Sequence, residues 1–409
     1  MMKTSVVYTL LSSIPMFVCG FWAIVFGVHF GRLPLNKRLL CVFMVVATSL
    51  YFGHFVVFNH LYSFIPVTDT LYSLATLSVY PLFLLYIISL TGKLRWRDTW
   101  LLLPGVLIAA VIGICYIWIP SDLLYDFVIG CHYEERFFSV DSVSRVSLLA
   151  HRLMKPVIAF QVVFVLISGY RKLVAFKRKV EDFYSNVRHK DMSEIRHLLV
   201  YLVITSCLSV VADLIGRAFF IDSMFLMILV LTPFSIMLFA IGDVGYHQQF
   251  TVADLLQEMK GMEIMEEAKE EAEEQENKVE PQKVGGMKTE QRRQLMVEMD
   301  RLMKVEHLFL QENLKLSDLA EHLHTNRTYV YEALKLMESE GVESFSDYVN
   351  RYRVDYSLQL LRETPKISIE QLSFACGFAS KTAFYTNFKK KVGVTPRQYI
   401  LSQYGQDKG

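Results

Sequence analysis

Two stretches near the C-terminal end of the chain combine an apolar stripe at helical spacing with an opposite face of hydrogen-bonding side chains. The first, LSDLAEHLHTNRTYVYEALKLM (residues 316–337), ends in a helix whose apolar positions, from Val330 to Met337, recur every three to four residues. The opposite face of that helix carries Arg327, Thr328, Tyr331, Glu332 and Lys335. Side chains of these types reach base edges or phosphates when a helix enters a DNA major groove.

The second stretch, SIEQLSFACGFASKTAFYTNFKKKVGVTP (residues 368–396), has the same organisation. Phe384 and Phe388 predict the buried side of its last helix. The outward side carries Lys381, Thr382, Tyr385, Thr386, Lys389 and Lys390. Lys389 and Lys390 lie late on the helix, where we expect them to meet phosphates rather than base edges.

Start and stop signals define the helices that position these faces. We expect helix caps or a capping box at Ser317, at Asn326, at Ser368 with Gln371, and at Ser380. Gly377 falls where a tight turn between helices tolerates a positive φ. An amphipathic helix over 289–309 leads in, and one long helix over 344–363, closed by Pro365, links the two units. Each stretch therefore predicts a helix-turn-helix unit.

Over roughly residues 290–400 the chain closely resembles the AraC/XylS family of bacterial regulators. The linked features are LAEHL, FSDYVNRYRV with its Arg353, the pair Leu360 and Leu361, Gly377 with Phe378, FKK from Phe388, and Gly-x-Thr-Pro at 393–396. The resemblance implies two recognition helices, held by the linking helix so that both read one face of double-stranded DNA in successive major grooves. It also implies that base contacts come from the outward residues named above.

Three positions depart from the family pattern. Ser357 and Ser373 stand where the family usually has alanine, and Ile400 stands where arginine is common. The serines are small enough to fit an alanine site. The missing arginine removes one structural or phosphate contact that the resemblance would otherwise imply.

The two predicted units differ in charge. Residues 371–406 hold no acidic residue, whereas their basic residues are Lys381, Lys389, Lys390, Lys391 and Arg397. The first unit is acidic around Glu338, Glu340 and Glu343. We therefore expect the second unit to dominate phosphate attraction and the first to rely more on specific contacts.

The part of the chain before residue 247 is far more apolar. Of 409 residues, 53% are hydrophobic and 20% charged, and runs of about 20 apolar residues, long enough to cross a bilayer, occur only in this part. We predict seven transmembrane helices, over 5–30, 39–62, 67–91, 100–120, 153–170, 197–217 and 222–242. The fifth has a short apolar core, so a bundle of six spans is the alternative.

Positive charge in the loops predicts the orientation of these spans. The loops after spans one, three and five carry clusters of Lys and Arg, whereas the loops on the other side, which include the segment 121–150, are balanced by acidic residues. Positive residues stay on the cytoplasmic side of a membrane. We therefore expect the N-terminus outside and the C-terminal half in the cytoplasm, in a bacterial inner membrane.

Ionisable residues near the outer ends of the spans form a candidate sensing group. They are Asp69, Lys155, Asp213, Arg217 and Asp222. Charges near membrane depth are costly and so indicate function. One interpretation is a ligand pocket that opens outward, and the other is a set of interfacial residues paired for solvation.

An acidic linker separates the two halves. A short amphipathic pattern from Val252 to Met262 gives way to a Glu-rich run over 263–280, and Pro281 with Gly285 and Gly286 ends any helix. About two heptads are short for a coiled coil, so the pattern gives little support to a homodimer. The expected domains are a membrane domain over 1–246, an acidic helical linker over 247–286 and a DNA-binding domain over 287–409.

These observations predict an all-α, membrane-embedded transcription regulator whose partners are double-stranded DNA, the lipid bilayer and an unidentified signal ligand. A transporter with a regulatory, DNA-binding-like tail is the alternative. It would favour broken helices near the bilayer midplane and an internal repeat, and the sequence shows neither clearly. The soluble half has no glycine-rich phosphate loop and the cysteines no metal-site spacing, so we expect no enzyme activity, cofactor or metal.

Overall fold

The chain folds into helices grouped in two compact units. The computed structural model describes residues 6–59, 61–120, 123–124, 127–128, 142–187, 190, 192–215, 224–259 and 289–404. Within these ranges the regular structure is helical, and one isolated antiparallel bridge joins Tyr184 to Lys315. The all-α prediction is therefore confirmed for this part of the chain.

The first unit comprises Met1–Leu173 and Met192–Val252. Its long helices are α1 (Val6–Gly27), α2 (Leu35–Phe58), α3 (Ile65–Thr91), α4 (Leu103–Trp118), α5 (Ser142–Phe183), α6 (Ser193–Ile215) and α7 (Met224–His247). The part of α5 from Val174 onward is assigned to the second unit. Each predicted span overlaps one of these helices. Among the described residues, five segments are long and apolar enough to cross a bilayer: Thr9–Gly27, Leu35–Val57, Val67–Thr91, Trp96–Trp118 and Ser142–Phe183.

Helices of the first unit pack closely inside and stay apolar outside. Helix α2 packs against both α1 and α3, and α7 packs against α1. Gly242 of α7 lies so close to the indole of Trp22 in α1 that a Cβ would collide with the ring, so this approach requires glycine. Large apolar side chains on the outer faces are exposed, among them Ile24 at 68% and Ile117 at 83%. A helix surface of this kind differs from the polar outer face of a water-exposed bundle.

Helix α5 is much longer than the predicted fifth span. It begins at Ser142, inside the predicted outer loop, and continues to Phe183, through residues that the charge pattern placed in a cytoplasmic loop. The reason is an apolar stripe that continues past the span: Leu173, Phe176, Val180 and Phe183 are buried at helical spacing. Lys177 and Glu181, which are both half-buried, add an ion pair of 3.3 Å one turn apart on the same helix.

The second unit comprises Val174–Asp191 and Ala253–Gly409. Its helices are α8 (Thr289–Lys304), α9 (Leu316–His322), α10 (Arg327–Leu336), α11 (Phe345–Glu363), α12 (Ile369–Ala375), α13 (Lys381–Val392) and α14 (Pro396–Tyr404), and residues 252–259 form a further short helical segment. The Glu-rich run of the predicted linker, Pro281, Gly285 and Gly286 lie outside the described residues.

Two local predictions for this unit were wrong. The leading helix ends at Lys304, because His307 takes a left-handed conformation (φ 53°) before a short 3-10 turn at Leu308–Leu310. Ser317 does not cap α9, because the helix begins one residue earlier. The Asp318 carboxylate instead accepts a 2.9 Å hydrogen bond from the backbone N–H of Lys315.

Two apolar cores lie side by side along the linking helix α11. The first core joins α8, α9 and α10 to Phe345, Tyr348 and Val349 at the start of α11. The second joins α12 and α13 to Val354 and Leu361 further along the same helix. Because one helix supplies side chains to both cores, it holds the two helix-turn-helix units together.

Candidate nucleic-acid interface

Side-chain caps fix where the two recognition helices, α10 and α13, begin. The Asn326 side chain accepts a 2.8 Å hydrogen bond from the N–H of Thr328, and the Ser380 hydroxyl accepts one of 3.2 Å from the N–H of Ala383. The predicted capping box between Ser368 and Gln371 also forms at the start of α12. These predictions are confirmed, and they depend only on residues within three positions of each other.

The turn before the second recognition helix depends on a glycine. Gly377 has a φ of +80°, and a Cβ there would lie 2.8 Å from the carbonyl oxygen of Leu310. The predicted positive φ is therefore confirmed, and close packing against Leu310 adds a second requirement for glycine at this position.

Arg353 is a buried residue that links the two helix-turn-helix units. Its guanidinium, 1% exposed, donates hydrogen bonds to the carbonyl oxygens of Phe309 and Gln311, at 2.8 and 2.6 Å. It also lies 5.7 Å from the ring centroid of Phe378. Burial lowers the pKa of Arg353 to about 10. The arginine therefore stays charged at neutral pH. It connects the segment at Phe309 and Gln311 to Phe378, in the turn before α13.

The three departures from the family pattern fit the two cores. Ser357 and Ser373 are fully buried, and each hydroxyl donates to the backbone carbonyl three residues earlier, at 2.6 and 2.8 Å. A buried hydroxyl satisfied in this way costs little. Ile400 is partly buried and packs against the second core.

On the first recognition helix, most of the predicted contact residues interact with other parts of the protein. Thr328 is exposed. Arg327 donates a 3.2 Å hydrogen bond to the carbonyl oxygen of Met259. Glu332 forms a 3.2 Å ion pair with Arg292 of α8. Tyr331 and Lys335 form a cation–π contact of 4.8 Å, and both lie beside Asp182.

The second recognition helix presents a more open face. Lys381, Thr382, Thr386 and Lys389 are exposed, and Tyr385 is half-buried against the second core. The Thr386 hydroxyl donates to the carbonyl oxygen of Thr382 at 3.0 Å, which leaves its lone pairs available to a donor from outside. This helix therefore offers two lysines and two threonines on one accessible side.

Lys390 has a different environment from Lys389. Its ammonium group lies 2.7 Å from Glu343 and 2.9 Å from Asp347, both near the start of the linking helix. Burial lowers the pKa of Lys390, but the hydrogen bonds from its ammonium group to Glu343 and Asp347 outweigh burial and the net pKa is raised. Lys391 is likewise paired with Asp355, at 2.5 Å. Part of the positive charge of this region is therefore neutralised within the domain.

The candidate sensing residues of the first unit do not share one environment. Asp69 is buried and accepts a 2.7 Å hydrogen bond from Tyr116, and His151 Nε2 lies 2.9 Å from the same carboxylate oxygen. Lys155 is exposed on α5. Arg217 and Asp222 lie outside the described residues, and Asp213 is described only as a helical backbone position.

Sequence reasoning missed several residues that contact the candidate sites. His151 lies just before the fifth predicted span, over 153–170, and nothing local distinguishes it from an interfacial histidine. Asp182, Tyr184 and Glu258 were placed in a loop or a spacer. The apolar stripe that continues to Phe183 could have shown that α5 extends beyond the predicted span, but not which residues it would contact.

Comparison with known proteins covers only the C-terminal part of the chain. Residues 319–401 match a family described as a helix-turn-helix domain. The TCP pilus virulence regulatory protein of Vibrio cholerae is 34% identical over 93 residues, which is 23% of this chain and 32% of that protein. The melibiose operon regulatory protein of Escherichia coli is 33% identical over 95 residues, which is 22% of this chain and 30% of that protein. The Msm operon regulatory protein of Streptococcus mutans is 31% identical over 96 residues, which is 24% of this chain and 33% of that protein.

The chain therefore spans about a third of the length of these relatives. No solved structure matches it. The region that matches the helix-turn-helix family, residues 319–401, holds both recognition helices, the linking helix and Arg353. Residues 319–401 therefore form a helix-turn-helix domain similar to the family that matches them, in a chain that resembles known regulatory proteins over about a quarter of its length.

Proposed function

We propose that this chain is a membrane-embedded one-component transcription regulator. It binds specific DNA sequences through its two helix-turn-helix units and receives a signal through its N-terminal half. The observation that carries the proposal is the open face of α13, with Lys381, Thr382, Thr386 and Lys389 exposed in a domain similar to that of known operon regulators. Lysine and threonine at these positions suit phosphate and base contacts.

Membrane embedding is supported by the surface of the first unit. Five segments are long and apolar enough to span a bilayer, and large apolar side chains such as Ile117 face outward. The proposed orientation has the N-terminus outside and the DNA-binding domain in the cytoplasm, since positive loops stay inside. A phosphatase fused to the C-terminal end of the full chain should be inactive, and activity in the periplasm would contradict this orientation.

The signal input is proposed to involve the buried Asp69, whose carboxylate contacts Tyr116 and His151. Burying a carboxylate in an apolar unit is costly, so such a residue indicates a functional position. Lys155, Asp213, Arg217 and Asp222 remain members of the proposed group on the strength of their positions along the spans.

DNA binding is tested by genome-wide mapping of the DNA bound to the full chain in cells. We expect discrete sites that share a sequence and that disappear in a variant with Lys381 and Lys389 changed to alanine. A uniform distribution of bound DNA would contradict sequence-specific regulation. Substrate flux into vesicles that contain the protein would instead support a transporter.

A further inference from the structure

Two segments of the second unit contact residues of the first recognition helix or of the stretch just before α9. One is formed by residues 182–187, at and just after the end of α5, and the other by residues 254–259, in the short helical segment. We call them the cover segments. Both are far in sequence from the recognition helix, and both carry acidic side chains.

The first cover segment is held by backbone hydrogen bonds. Tyr184 forms the antiparallel bridge with Lys315, and the N–H of Ser185 donates to the carbonyl oxygen of Leu314 at 3.0 Å. The Ser346 hydroxyl donates to the carbonyl oxygen of Ser185, also at 3.0 Å. Tyr184 and Ser185 are each 2% exposed. This segment therefore packs as part of the domain and does not pass over it as a loose connection.

Glu258 joins the two cover segments to the domain. Its carboxylate accepts hydrogen bonds from the Tyr184 hydroxyl at 2.7 Å and from the Lys315 ammonium at 2.9 Å. Burial raises the pKa of Glu258, but the bonds from Tyr184 and Lys315 outweigh burial and the net pKa is lowered. The carboxylate is therefore ionised at neutral pH and neutralises the ammonium group of Lys315, the residue just before α9.

The recognition residues themselves are engaged by the cover segments. Arg327 donates to the carbonyl oxygen of Met259 at 3.2 Å, so its guanidinium is turned toward the second cover segment. Asp182 of the first cover segment lies beside Tyr331 and Lys335, close enough for both to lower the pKa of its carboxyl, although burial raises that pKa more and the net pKa is raised. Three of the five predicted DNA contacts of α10, namely Arg327, Tyr331 and Lys335, thus lie beside the cover segments.

We propose that the cover segments are an acidic intramolecular competitor of DNA for the first helix-turn-helix unit. The inference rests on the proposed function and adds its regulation. The Glu258 carboxylate bonds to Lys315, the Met259 carbonyl oxygen accepts from Arg327, and the Asp182 carboxylate lies beside Tyr331 and Lys335. Groups of these kinds also bind phosphate. A duplex in contact with α10 needs the same groups, so binding of the two partners is mutually exclusive.

This arrangement makes the two recognition helices unequal. In the covered state, DNA meets only the open face of α13, whereas release of the cover segments adds the contacts of α10. The first cover segment continues directly from α5, and the second follows α7 in the chain. A signal ligand that binds the released state more tightly than the covered state shifts the chain toward release and so increases its affinity for DNA. The size of the shift is limited by the ratio of the ligand's affinities for the two states.

The test uses the full chain in detergent micelles and a mixed-sequence DNA duplex long enough for two adjacent major grooves. The variant carries Asp182→Asn and Glu258→Gln, which keep side-chain size but remove both negative charges. The control carries Glu298→Gln and Glu306→Gln, which remove the same charge from exposed partners of Arg301, a residue that contacts neither cover segment in these ion pairs. Affinity is measured by fluorescence anisotropy over a series of salt concentrations.

We expect the variant to bind at least about five-fold more tightly than the control, which is the lower range of allosteric coupling. Its plot of log affinity against log salt should steepen by about two, because Lys315 and Lys335 become available to phosphates. Equal affinity and slope in variant and control would overturn the proposal while leaving DNA binding itself intact.

A reversible lock provides a second arm. The side chains of Asn186 and Asn313 are hydrogen-bonded at 3.2 Å, so cysteines at both positions are suitably placed for a disulfide across the cover. In the Asp182→Asn and Glu258→Gln background, oxidation should abolish the gain in affinity and reduction should restore it. A gain that persists in the oxidised protein would overturn the competitor role. Failure of every chain, reduced or oxidised, to bind any DNA would overturn the proposed function and this inference with it.

Discussion

The ammonium group of Lys390 lies 2.9 Å from the carboxylate of Asp347, which ties the second recognition helix to the start of the linking helix. Lys389, the preceding residue, is exposed. Two adjacent lysines that look equivalent in sequence therefore have different surroundings: Lys390 pairs with carboxylates of its own domain, whereas we propose that Lys389 contacts DNA.

This difference predicts separate effects of the two lysines on DNA binding. In the full chain, Lys389→Ala should flatten the slope of log affinity against log salt by about one, because one phosphate contact is lost. Lys390→Ala should leave that slope unchanged but speed amide hydrogen exchange at the start of α11. Equal changes in slope would mean that Lys390 leaves its carboxylates to bind phosphate.

Arg353 should be required for the two helix-turn-helix units to stay packed together. Arg353→Leu leaves the carbonyl oxygens of Phe309 and Gln311 without their buried donor, so the free energy of opening of this region should fall by about 3 kcal/mol. Hydrogen exchange measured by mass spectrometry on the full chain checks the effect. Arg362→Leu, at an exposed position of the same helix, is the matched control. Similar exchange in both variants would contradict a linking role.

The buried carboxylate of Asp69 should stabilise the first unit. Asp69→Ala removes the acceptor that Tyr116 and His151 share, at a cost of about 1–3 kcal/mol. The thermal unfolding midpoint of the protein in micelles should fall and, if Asp69 takes part in sensing, induced transcription should change as well. Lys155→Ala, exposed on the same helix as His151, should affect stability little. An Asp69→Ala protein as stable as the wild type would show that the buried contacts contribute nothing net.

The helix caps should matter to each recognition helix separately. Asn326→Ala removes the acceptor for the N–H of Thr328, and Ser380→Ala removes the acceptor for the N–H of Ala383. Each should cost about 1 kcal/mol of helix stability. Faster exchange should be confined to α10 in the first case and to α13 in the second. Faster hydrogen exchange across both helices in either variant would instead indicate that the two helix-turn-helix units open together.

Features that depend on near neighbours in the chain were predictable from the sequence. The caps at Asn326 and Ser380 join residues two or three positions apart, and the buried stripe of α10, from Val330 to Met337, repeats every three to four residues. Such patterns are set by helix geometry and by side chains that bond to their own backbone. The same reasoning failed at Ser317, because a carboxylate at Asp318 competes successfully for the same N-terminal position.

The contacts that decide how the sites work join residues far apart, and only the tertiary structure brings those together. His151 and Asp69 are 82 positions apart, and Arg353 and Ser185 are 168 apart. Asp182 and Glu258 lie in stretches whose composition favours a solvated surface, and nothing local indicates that they meet Tyr331 and Lys315. The sequence by itself determined the recognition helices and the outward residues on them, because periodicity and capping are local. Whether those residues are open, as on α13, or engaged, as on α10, was decided by packing between distant segments, since burial and charge pairing depend on neighbours that the local sequence does not contain.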